Sequence, residues 1–190
     1  MGAGEATTCL RVGSTGNRCL NFSDPFGLCS EEQRKSGGCP QKGDVADVQK
    51  QTWVNPTGGA VRGCDKQGCG NFGAPRGDRT HAGADYVART GQDVVAVTGG
   101  EVTNVGYPYG DDLSFRYVEI TGSDGYVARE FYIQPGANVQ TGARVQAAQV
   151  LGTQQRLGGR YPGITEHVHV EIRRSGRLID PTTLIPNPVP

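Results

Sequence analysis

The sequence predicts an all-β protein of antiparallel strands, preceded by a cysteine-rich appendage. Glycine accounts for 30 of the 190 residues, and helix-forming residues are thinly spread. Short runs with apolar residues at every second position recur in the second half, and turn residues separate them. This spacing favours a two-sheet or partly closed β-architecture, similar to a β-sandwich. Four of the six cysteines fall in the first 40 residues.

The composition suits one medium-sized domain with an attached segment, and we place the boundary at residue 60. Residues 1–60 form the appendage and residues 61–190 the main domain. Lysine plus arginine and aspartate plus glutamate are equal at 19 each, so no basic stripe indicates a nucleic-acid-binding protein. The longest apolar runs, such as 94–97, are too short to span a membrane.

The appendage has a regular cysteine pattern. Without a Cys-x-x-Cys motif a zinc knuckle is not expected, which leaves two disulfides in any of three pairings or reduced thiols in a flexible arm. The first residues lack the basic and apolar regions of a secretory signal, whereas six cysteines suggest an oxidising destination. The two features agree if the chain is delivered as part of something larger. The four cysteines are Cys9, Cys19, Cys29 and Cys39.

The main domain begins with a short loop between Cys64 and Cys69. The loop is either closed by a disulfide or part of a Cys-x4-Cys metal site that has no third partner in view. Beyond it, Gly99 and Gly100 predict a tight hairpin turn, and Pro181 ends the last strand. The predicted strands are 93–98, 101–105, 115–121, 126–133, 144–151, 166–172 and 177–180.

Strand 166–172 carries the residues that indicate a function. Its period of two separates a polar face from an apolar face that packs on a core. Two histidines at positions i and i+2 of one face are about 7 Å apart at their Cα atoms. The polar face carries His167, His169 and Glu171, and the apolar face carries Val168, Val170 and Ile172.

A metal site follows from where the histidines lie. The chain has only three, and the third, His81, begins a His-x-x-x-Asp spacing that ends at Asp85. Zinc favours imidazole and carboxylate ligands in a tetrahedral arrangement, and catalytic sites keep one position for water. We therefore predict a zinc site made by His81, Asp85 and His169 with water as the fourth ligand. The alternative is that the histidines are incidental surface or hydrogen-bonded residues.

An ordered pattern of motifs runs through residues 79–184: Arg79-x-His81-x-Gly83-x-Asp85, Val94-x-Ala96, Gly99-Gly100-x-Val102, Tyr132, Gly142-x-x-Val145, Leu151-Gly152, His167-x-His169 and Asp180-Pro181. With this pattern the segment resembles a lysostaphin-type zinc metallopeptidase domain. The resemblance implies that fold, the same three metal ligands, His167 as the catalytic histidine, and hydrolysis of peptidoglycan peptides.

One departure from that family concerns Gln134. Active members carry a second catalytic histidine in a Tyr-x-His-Leu pattern, where this chain has Tyr132-Ile133-Gln134-Pro135. Glutamine can donate a hydrogen bond through its amide but cannot act as a general base. Gln134 is therefore either a weakened oxyanion donor or a sign that catalysis has been lost. Glu171 either orients a ligand imidazole or forms an ordinary surface salt bridge, and we assign no role to Tyr107, Tyr109 and Tyr161.

Three further segments fall within residues 64–172: Cys64-Asp65-x-x-Gly68-Cys69-Gly70, Phe131-Tyr132-Ile133-x-Pro135 and Tyr161-Pro162-Gly163-Ile164-x-x-His167-Val168-His169. They are similar to the leukocyte cell-derived chemotaxin-2 family of secreted animal proteins. This second resemblance supports a Cys64–Cys69 disulfide and implies a zinc-binding module that does not cleave peptides.

A third resemblance lies in the appendage, where Asp24-Pro25-Phe26-Gly27-Leu28 is similar to the end of an Rhs-repeat core. It implies an antibacterial toxin domain that an Rhs carrier delivers to the periplasm or cell wall of a target bacterium. It also implies a cognate immunity protein. Three functions follow: a peptidoglycan endopeptidase, an inactive zinc-binding recognition module, or a disulfide-rich structural domain. We expect the endopeptidase, and we expect neither nucleic acid nor membrane as a partner.

Overall fold

The computed structural model describes residues 8–11, 17–20 and 51–188. The chain divides into two compact units, Met1–Val48 and Gln49–Pro190. In the first unit, β1 (Thr8–Arg11) pairs antiparallel with β2 (Asn17–Leu20). The register places the backbone of Cys9 opposite that of Cys19.

Most predictions for the appendage concern residues that the structure does not describe. Cys29, Cys39 and the Rhs-like motif at 24–28 lie outside the described residues. The pairing of the four cysteines, the Rhs resemblance and the boundary at residue 60 therefore stay predictions.

The regular secondary structure in the described part of the second unit is almost entirely β. Every strand pair in it is antiparallel, which confirms the predicted fold class. Between residues 51 and 188 the only helical element is a 3₁₀ turn at Pro181–Thr183, and no helix in this part is long and apolar enough to cross a membrane. The strands are β3 (Cys64–Asp65), β4 (Gly68–Cys69), β5 (Pro75–Arg76), β6 (Arg79–Thr80), β7 (Ala84–Val87), β8 (Asp93–Val95), β9 (Gly100–Gly106), β10 (Tyr117–Thr121), β11 (Tyr126–Phe131), β12 (Ile133–Pro135), β13 (Arg144–Val145), β14 (Val150–Gln154), β15 (His167–Arg174) and β16 (Arg177–Ile179).

Side chains from two sheets form one hydrophobic core. The larger sheet has seven strands in the order β13-β9-β10-β11-β15-β16, and β7 joins it by pairing with β15. The smaller sheet has the order β12-β14-β8. The alternation predicted for strand 166–172 is confirmed, because its aliphatic residues are fully buried while His169 and Glu171 are partly exposed. The core includes Val118, Ile120, Ala128, Val168, Val170 and Ile172 of the larger sheet and Val94, Ile133 and Leu151 of the smaller sheet.

Two sequence predictions about neighbouring strands are wrong. The expected hairpin at Gly99 and Gly100 does not form, because β8 pairs with β14 in the smaller sheet while β9 pairs with β10 in the larger one. The chain crosses between the sheets at Val97, whose N–H donates to the Glu130 carboxylate at 2.9 Å. The single strand predicted over 144–151 likewise divides into β13 and β14, in different sheets. The hairpin of β10 and β11 is confirmed.

Candidate metal centre

Strand β15 lies between β11 and β7 and brings residues of the candidate site together. In the register, His169 has Phe131 of β11 on one side and Asp85 of β7 on the other. Directly opposed residues of an antiparallel pair have Cβ atoms about 4.5–5.5 Å apart, so the carboxylate meets the imidazole. His81 lies in the loop before β7. A Cβ at Gly83 would lie 2.1 Å from the carbonyl oxygen of Val170, so glycine is needed where this loop approaches β15.

Three donor atoms converge. Asp85 Oδ1 lies 2.8 Å from His169 Nδ1 and 3.2 Å from His81 Nε2, and the two nitrogens are 3.0 Å apart. A tetrahedron with zinc–nitrogen and zinc–oxygen bonds of about 2.0–2.1 Å has edges of about 3.3 Å. The observed separations are close to that size, and the three residues form a group able to hold a metal ion.

The second ring nitrogen of each of these two histidines, the one that does not face the donor cluster, has a partner of its own. His81 Nδ1–H donates to the Asn71 carbonyl at 2.9 Å, and His169 Nε2 lies 3.5 Å from Glu171 Oε1. A ligand histidine ordinarily gives its second N–H to a carbonyl or a carboxylate, which leaves the other nitrogen free for the metal. The donor set therefore fits a zinc ion.

His167 lies beside this group. Its Nδ1–H donates to the Thr165 carbonyl at 2.6 Å, and its Nε2 lies 3.5 Å from Asp85 Oδ1. The imidazole is almost fully buried. In this tautomer Nε2 is the unprotonated nitrogen, so it can accept a proton at the edge of the donor cluster.

Burial and partners set the charges. Burial alone would raise the pKa of Asp85, but hydrogen bonds with His169 and His81 hold it well below its ordinary value. Burial lowers the pKa of His167 by more than the nearby Asp85 raises it. Burial also acts against protonated His169, yet contacts with Asp85 and Glu171 leave its pKa raised. The site thus combines an ionised carboxylate with a largely neutral His167.

A groove of about 390 Å³ opens over these residues. One wall is aromatic: the Tyr109 hydroxyl lies 2.7 Å from the hydroxyls of both Tyr132 and Tyr161. The three tyrosine hydroxyls carry three protons and make two hydrogen bonds with one another, so one O–H remains able to donate to a ligand. The lining residues are Arg62, Gln67, Arg76, Arg79, His81, Ala82, Asp85, Pro108, Tyr109, Phe131, Tyr132, Tyr161, Ile164, His167, His169 and Glu171.

Comparison with known proteins identifies the family of this domain. Residues 79–181, more than half of the chain, match Peptidase family M23. The chain belongs to peptidase family M23. This assignment accounts for the two histidine motifs, which begin and end within the matched residues.

Relatives of the M23 chain include animal proteins. Myeloid protein 1 of Gallus gallus is 36% identical over 121 residues, which cover 62% of this chain and 36% of that protein. Leukocyte cell-derived chemotaxin-2 of Bos taurus is 32% identical over 126 residues, covering 66% of this chain and 79% of that protein. The chain thus spans about a third of the length of the first relative.

Two solved structures share the M23 fold. Csd3 of Helicobacter pylori has a TM-score of 0.52 and 21% identity, over 71% of this chain and 33% of that one. The catalytic domain of the antimicrobial peptidase lysostaphin from Staphylococcus simulans has a TM-score of 0.50 and 22% identity, over 61% and 88%. At these identities the likeness concerns the fold alone.

The structure brings four of the five predicted site residues together. The ligand roles of His81, Asp85 and His169 and the catalytic role of His167 stay predictions, although the geometry suits all four. Gln134 lies apart from them: its side chain is exposed and is not among the residues that line the groove, and whether it is a weakened oxyanion donor or a sign of lost catalysis stays a prediction. Glu171 makes both contacts that we considered, with His169 and, at 3.2 Å, with Arg173.

Sequence reasoning missed the role of Tyr132. Its backbone has a φ of 66°, and its N–H and that of Ile133 both approach the Arg116 carbonyl, at 2.8 and 3.3 Å. Such a bulge redirects side chains where a strand changes partners. It separates β11 from β12 and places Tyr132, rather than Gln134, in the groove wall.

Sequence reasoning also missed Arg62. The buried Arg62 guanidinium binds Asp85 Oδ2 through Nε at 3.1 Å and Nη2 at 2.8 Å. The only available signal was a basic residue two positions before Cys64.

Proposed function

We propose that this M23 domain is a zinc-dependent endopeptidase that hydrolyses peptide bonds in peptidoglycan. The observation that carries the proposal is the convergence of His81 Nε2, His169 Nδ1 and Asp85 Oδ1 in an open groove, with His167 Nε2 beside them. A metal-activated hydrolase needs three protein ligands, an accessible position and a nearby base.

A zinc ion held by these three atoms would supply Lewis-acid activation of a water molecule and of the scissile carbonyl. His167 Nε2 accepts the proton of the attacking water and returns it to the leaving amine. The hydrogen bond from its Nδ1–H to Thr165 fixes the required tautomer. Burial raises the pKa of Tyr132 to about 12, so its hydroxyl stays protonated and serves as an oxyanion donor.

The groove rim favours a peptide with free carboxylates. Arg79 lines it and is exposed to solvent, whereas Arg76 also lines it but already donates to the Cys69 carbonyl at 2.6 Å. Guanidinium groups bind carboxylates with charge-assisted hydrogen bonds. Stem peptides of peptidoglycan carry such carboxylates.

The test is digestion of purified peptidoglycan by the zinc-loaded chain, with products identified by mass spectrometry. We expect released stem or cross-bridge peptides from the parent chain. His167→Ala should keep one zinc per chain and lose about 10²–10⁴ in rate, the usual share of a general acid–base residue. His81→Ala should lose both zinc and cleavage. Full activity in His167→Ala contradicts its role as the base.

A zinc-binding recognition module without turnover is the second candidate. Two observations favour it: Gln134 stands where active peptidases of this type have histidine, and the bovine chemotaxin-2 matches over most of its length. A parent chain that binds one zinc but cleaves no peptidoglycan would support this function instead.

We further propose that the domain is an antibacterial toxin carried by an Rhs-type protein. The Rhs-like motif at 24–28 supports this setting, and delivery to the periplasm or cell wall follows from the substrate. Expression of the chain in the periplasm of a test bacterium should cause lysis, and the His167→Ala variant should not. Co-expression of the cognate immunity protein should prevent the lysis. Survival of cells that contain active, folded enzyme contradicts the toxin role.

A further inference from the structure

Arg62 is the most heavily bonded side chain near the metal centre. It is 3% exposed, and all three of its guanidinium nitrogens are used. Nε and Nη2 donate to Asp85 Oδ2, while Nη1 donates to Asp65 Oδ2 at 2.6 Å and to the Gly68 carbonyl at 2.8 Å. The guanidinium therefore links Asp85 to the hairpin formed by β3 and β4.

This arrangement divides the two oxygens of Asp85. Oδ2 belongs to Arg62, and Oδ1 faces His169 and His81. The two hydrogen bonds to Oδ2 orient the carboxylate, so Oδ1 is the oxygen that it offers to a metal ion. Arg62 also adds a positive charge that favours the ionised form of the ligand.

The backbone of the same segment holds Asp85 from both sides. The Arg62 N–H donates to the Asp85 carbonyl at 2.7 Å, and the Asp85 N–H donates to the Gly70 carbonyl at 2.9 Å. A Cβ at Gly70 would lie 2.6 Å from Arg62 Cβ and 3.0 Å from Asp85 Cβ. At Gly70, directly after the hairpin, there is thus no room for a side chain between Arg62 and Asp85.

The hairpin also reaches the segment that precedes the catalytic histidine. Asp65 Oδ2 accepts the Thr165 N–H at 2.8 Å, and Gln67 Nε2 donates to the Pro162 carbonyl at 3.0 Å. Thr165 in turn accepts the hydrogen bond of His167 Nδ1. A disulfide between Cys64 and Cys69 closes the hairpin and limits the positions that Asp65 can take.

We propose that the disulfide-closed hairpin Cys64–Cys69 positions the metal centre and that Arg62 is the positioning residue for the ligand Asp85. Arg62 and the hairpin precede the residues that match the M23 family. The inference rests on the zinc site of the proposed function but not on turnover. It places part of the metal affinity outside the two histidine motifs.

The experiment measures zinc affinity of the full chain by competition with a chromophoric chelator, together with the visible spectrum of the cobalt-loaded protein. Arg62→Ala should weaken zinc binding about 10–100-fold, the usual effect of losing a group that orients a ligand. It should also change the cobalt spectrum, which reports ligand geometry and does not respond to stability alone. Arg174→Ala, which removes an exposed arginine at the far end of β15, is the control and should match the parent.

Two further variants keep the test decisive if Arg62→Ala does not fold. Arg62→Lys retains the charge, but one ammonium cannot replace the guanidinium fork between Asp65 and Asp85, so affinity should recover only in part. The double variant Cys64→Ser/Cys69→Ser should weaken zinc binding in the same direction as Arg62→Ala.

Parental zinc affinity in Arg62→Lys and in the double serine variant overturns the inference. Because peptidoglycan cleavage by the parent is measured separately, such a result leaves the proposed function standing. A parent chain that binds no zinc overturns both.

Discussion

Two buried carboxylates lie on the strands on either side of β15 and differ in their surroundings, their hydrogen bonds and their pKa. Asp85 of β7 lies opposite His169, and Glu130 of β11 lies opposite Val170. Because successive strand residues face opposite sides, one carboxylate lies at the candidate metal centre and the other in the hydrophobic core. Asp85 is 2% exposed and Glu130 is 0% exposed.

Their hydrogen bonds explain the contrast. Asp85 has Arg62 on one oxygen and histidines on the other, and its pKa is well below the ordinary value. Glu130 accepts one bond, from the Val97 N–H, and its Oε2 has no partner among the described residues. Burial raises the pKa of Glu130 to about 8. Partners, rather than depth, decide which buried carboxylate stays charged and can serve a metal ion.

The largest expected effect comes from Asp85→Asn. This change removes a ligand charge and leaves Arg62 with Asp65 as its remaining carboxylate partner. We expect loss of zinc binding and cleavage, and a fall of about 3 kcal/mol in the free energy of unfolding, the lower end for a broken buried ion pair. Zinc stoichiometry and urea unfolding measure the two effects. Glu130→Gln at pH 7 is the matched control and should retain zinc. Equal loss of zinc in both variants would contradict the claim that Asp85 serves the metal ion and Glu130 does not.

Next in size is Tyr132→Phe, which tests the groove side of the same sheet. Removing one oxyanion donor typically costs about 10²–10³ in rate, and we expect that loss in kcat with zinc affinity unchanged. Phenylalanine keeps the ring that meets His167 edge-on at 5.6 Å. The control is Tyr126→Phe, which removes a hydroxyl that lies 3.4 Å from Arg174 Nη1. Equal activity in the two variants excludes Tyr132 as a donor.

Each half of the candidate metal centre was predictable because its signal is local. A strand period of two puts His167 and His169 near one another, and His81 and Asp85 stand four positions apart. That the two motifs meet followed from the ligand preferences of zinc, although His169 and Asp85 are 84 residues apart. Arg62 gave no such chemical signal, because arginine is not a metal ligand and only the fold joins it to Asp85, 23 residues away. Tyr132 depends on the bulge opposite Arg116.

The same reasoning explains the fold. Alternation predicted most strands and the all-β class, since each strand buries one face. It did not predict that β8 and β9 belong to different sheets. That separation depends on the crossing at Val97, where a side chain, Glu130, satisfies the backbone N–H.

A further expected effect, on stability rather than on the site, concerns the pH dependence of the free energy of unfolding. The raised pKa of Glu130, against an ordinary 4.5, means that the folded state holds its proton more tightly than the unfolded chain. Its contribution is therefore complete below pH 4.5 and is lost as pH rises to about 8, by about 1.4 kcal/mol per pH unit. Asp85 has the opposite sign, because a lowered pKa stabilises above its ordinary value and the contribution is lost as pH falls.

Urea unfolding of the metal-free chain at pH 5, 6.5 and 8 measures this slope. Glu130→Gln cannot titrate, so its stability should fall less than that of the parent as pH rises. Parallel pH profiles for the two proteins would show that Glu130 does not carry the effect.

The smallest expected effect is that of Gln134→Ala. Gln134 pairs through its backbone with Thr153 of β14, its side chain is exposed, and the bulge gives the groove wall to Tyr132. An exposed side chain outside the site changes stability by about 0.5 kcal/mol or less, and we expect cleavage within about twofold of the parent. The measurement is the rate of peptide release beside Tyr132→Phe. A tenfold loss in Gln134→Ala, or a gain in Gln134→His, would mean that this segment reaches the substrate and that the oxyanion donor lies on β12.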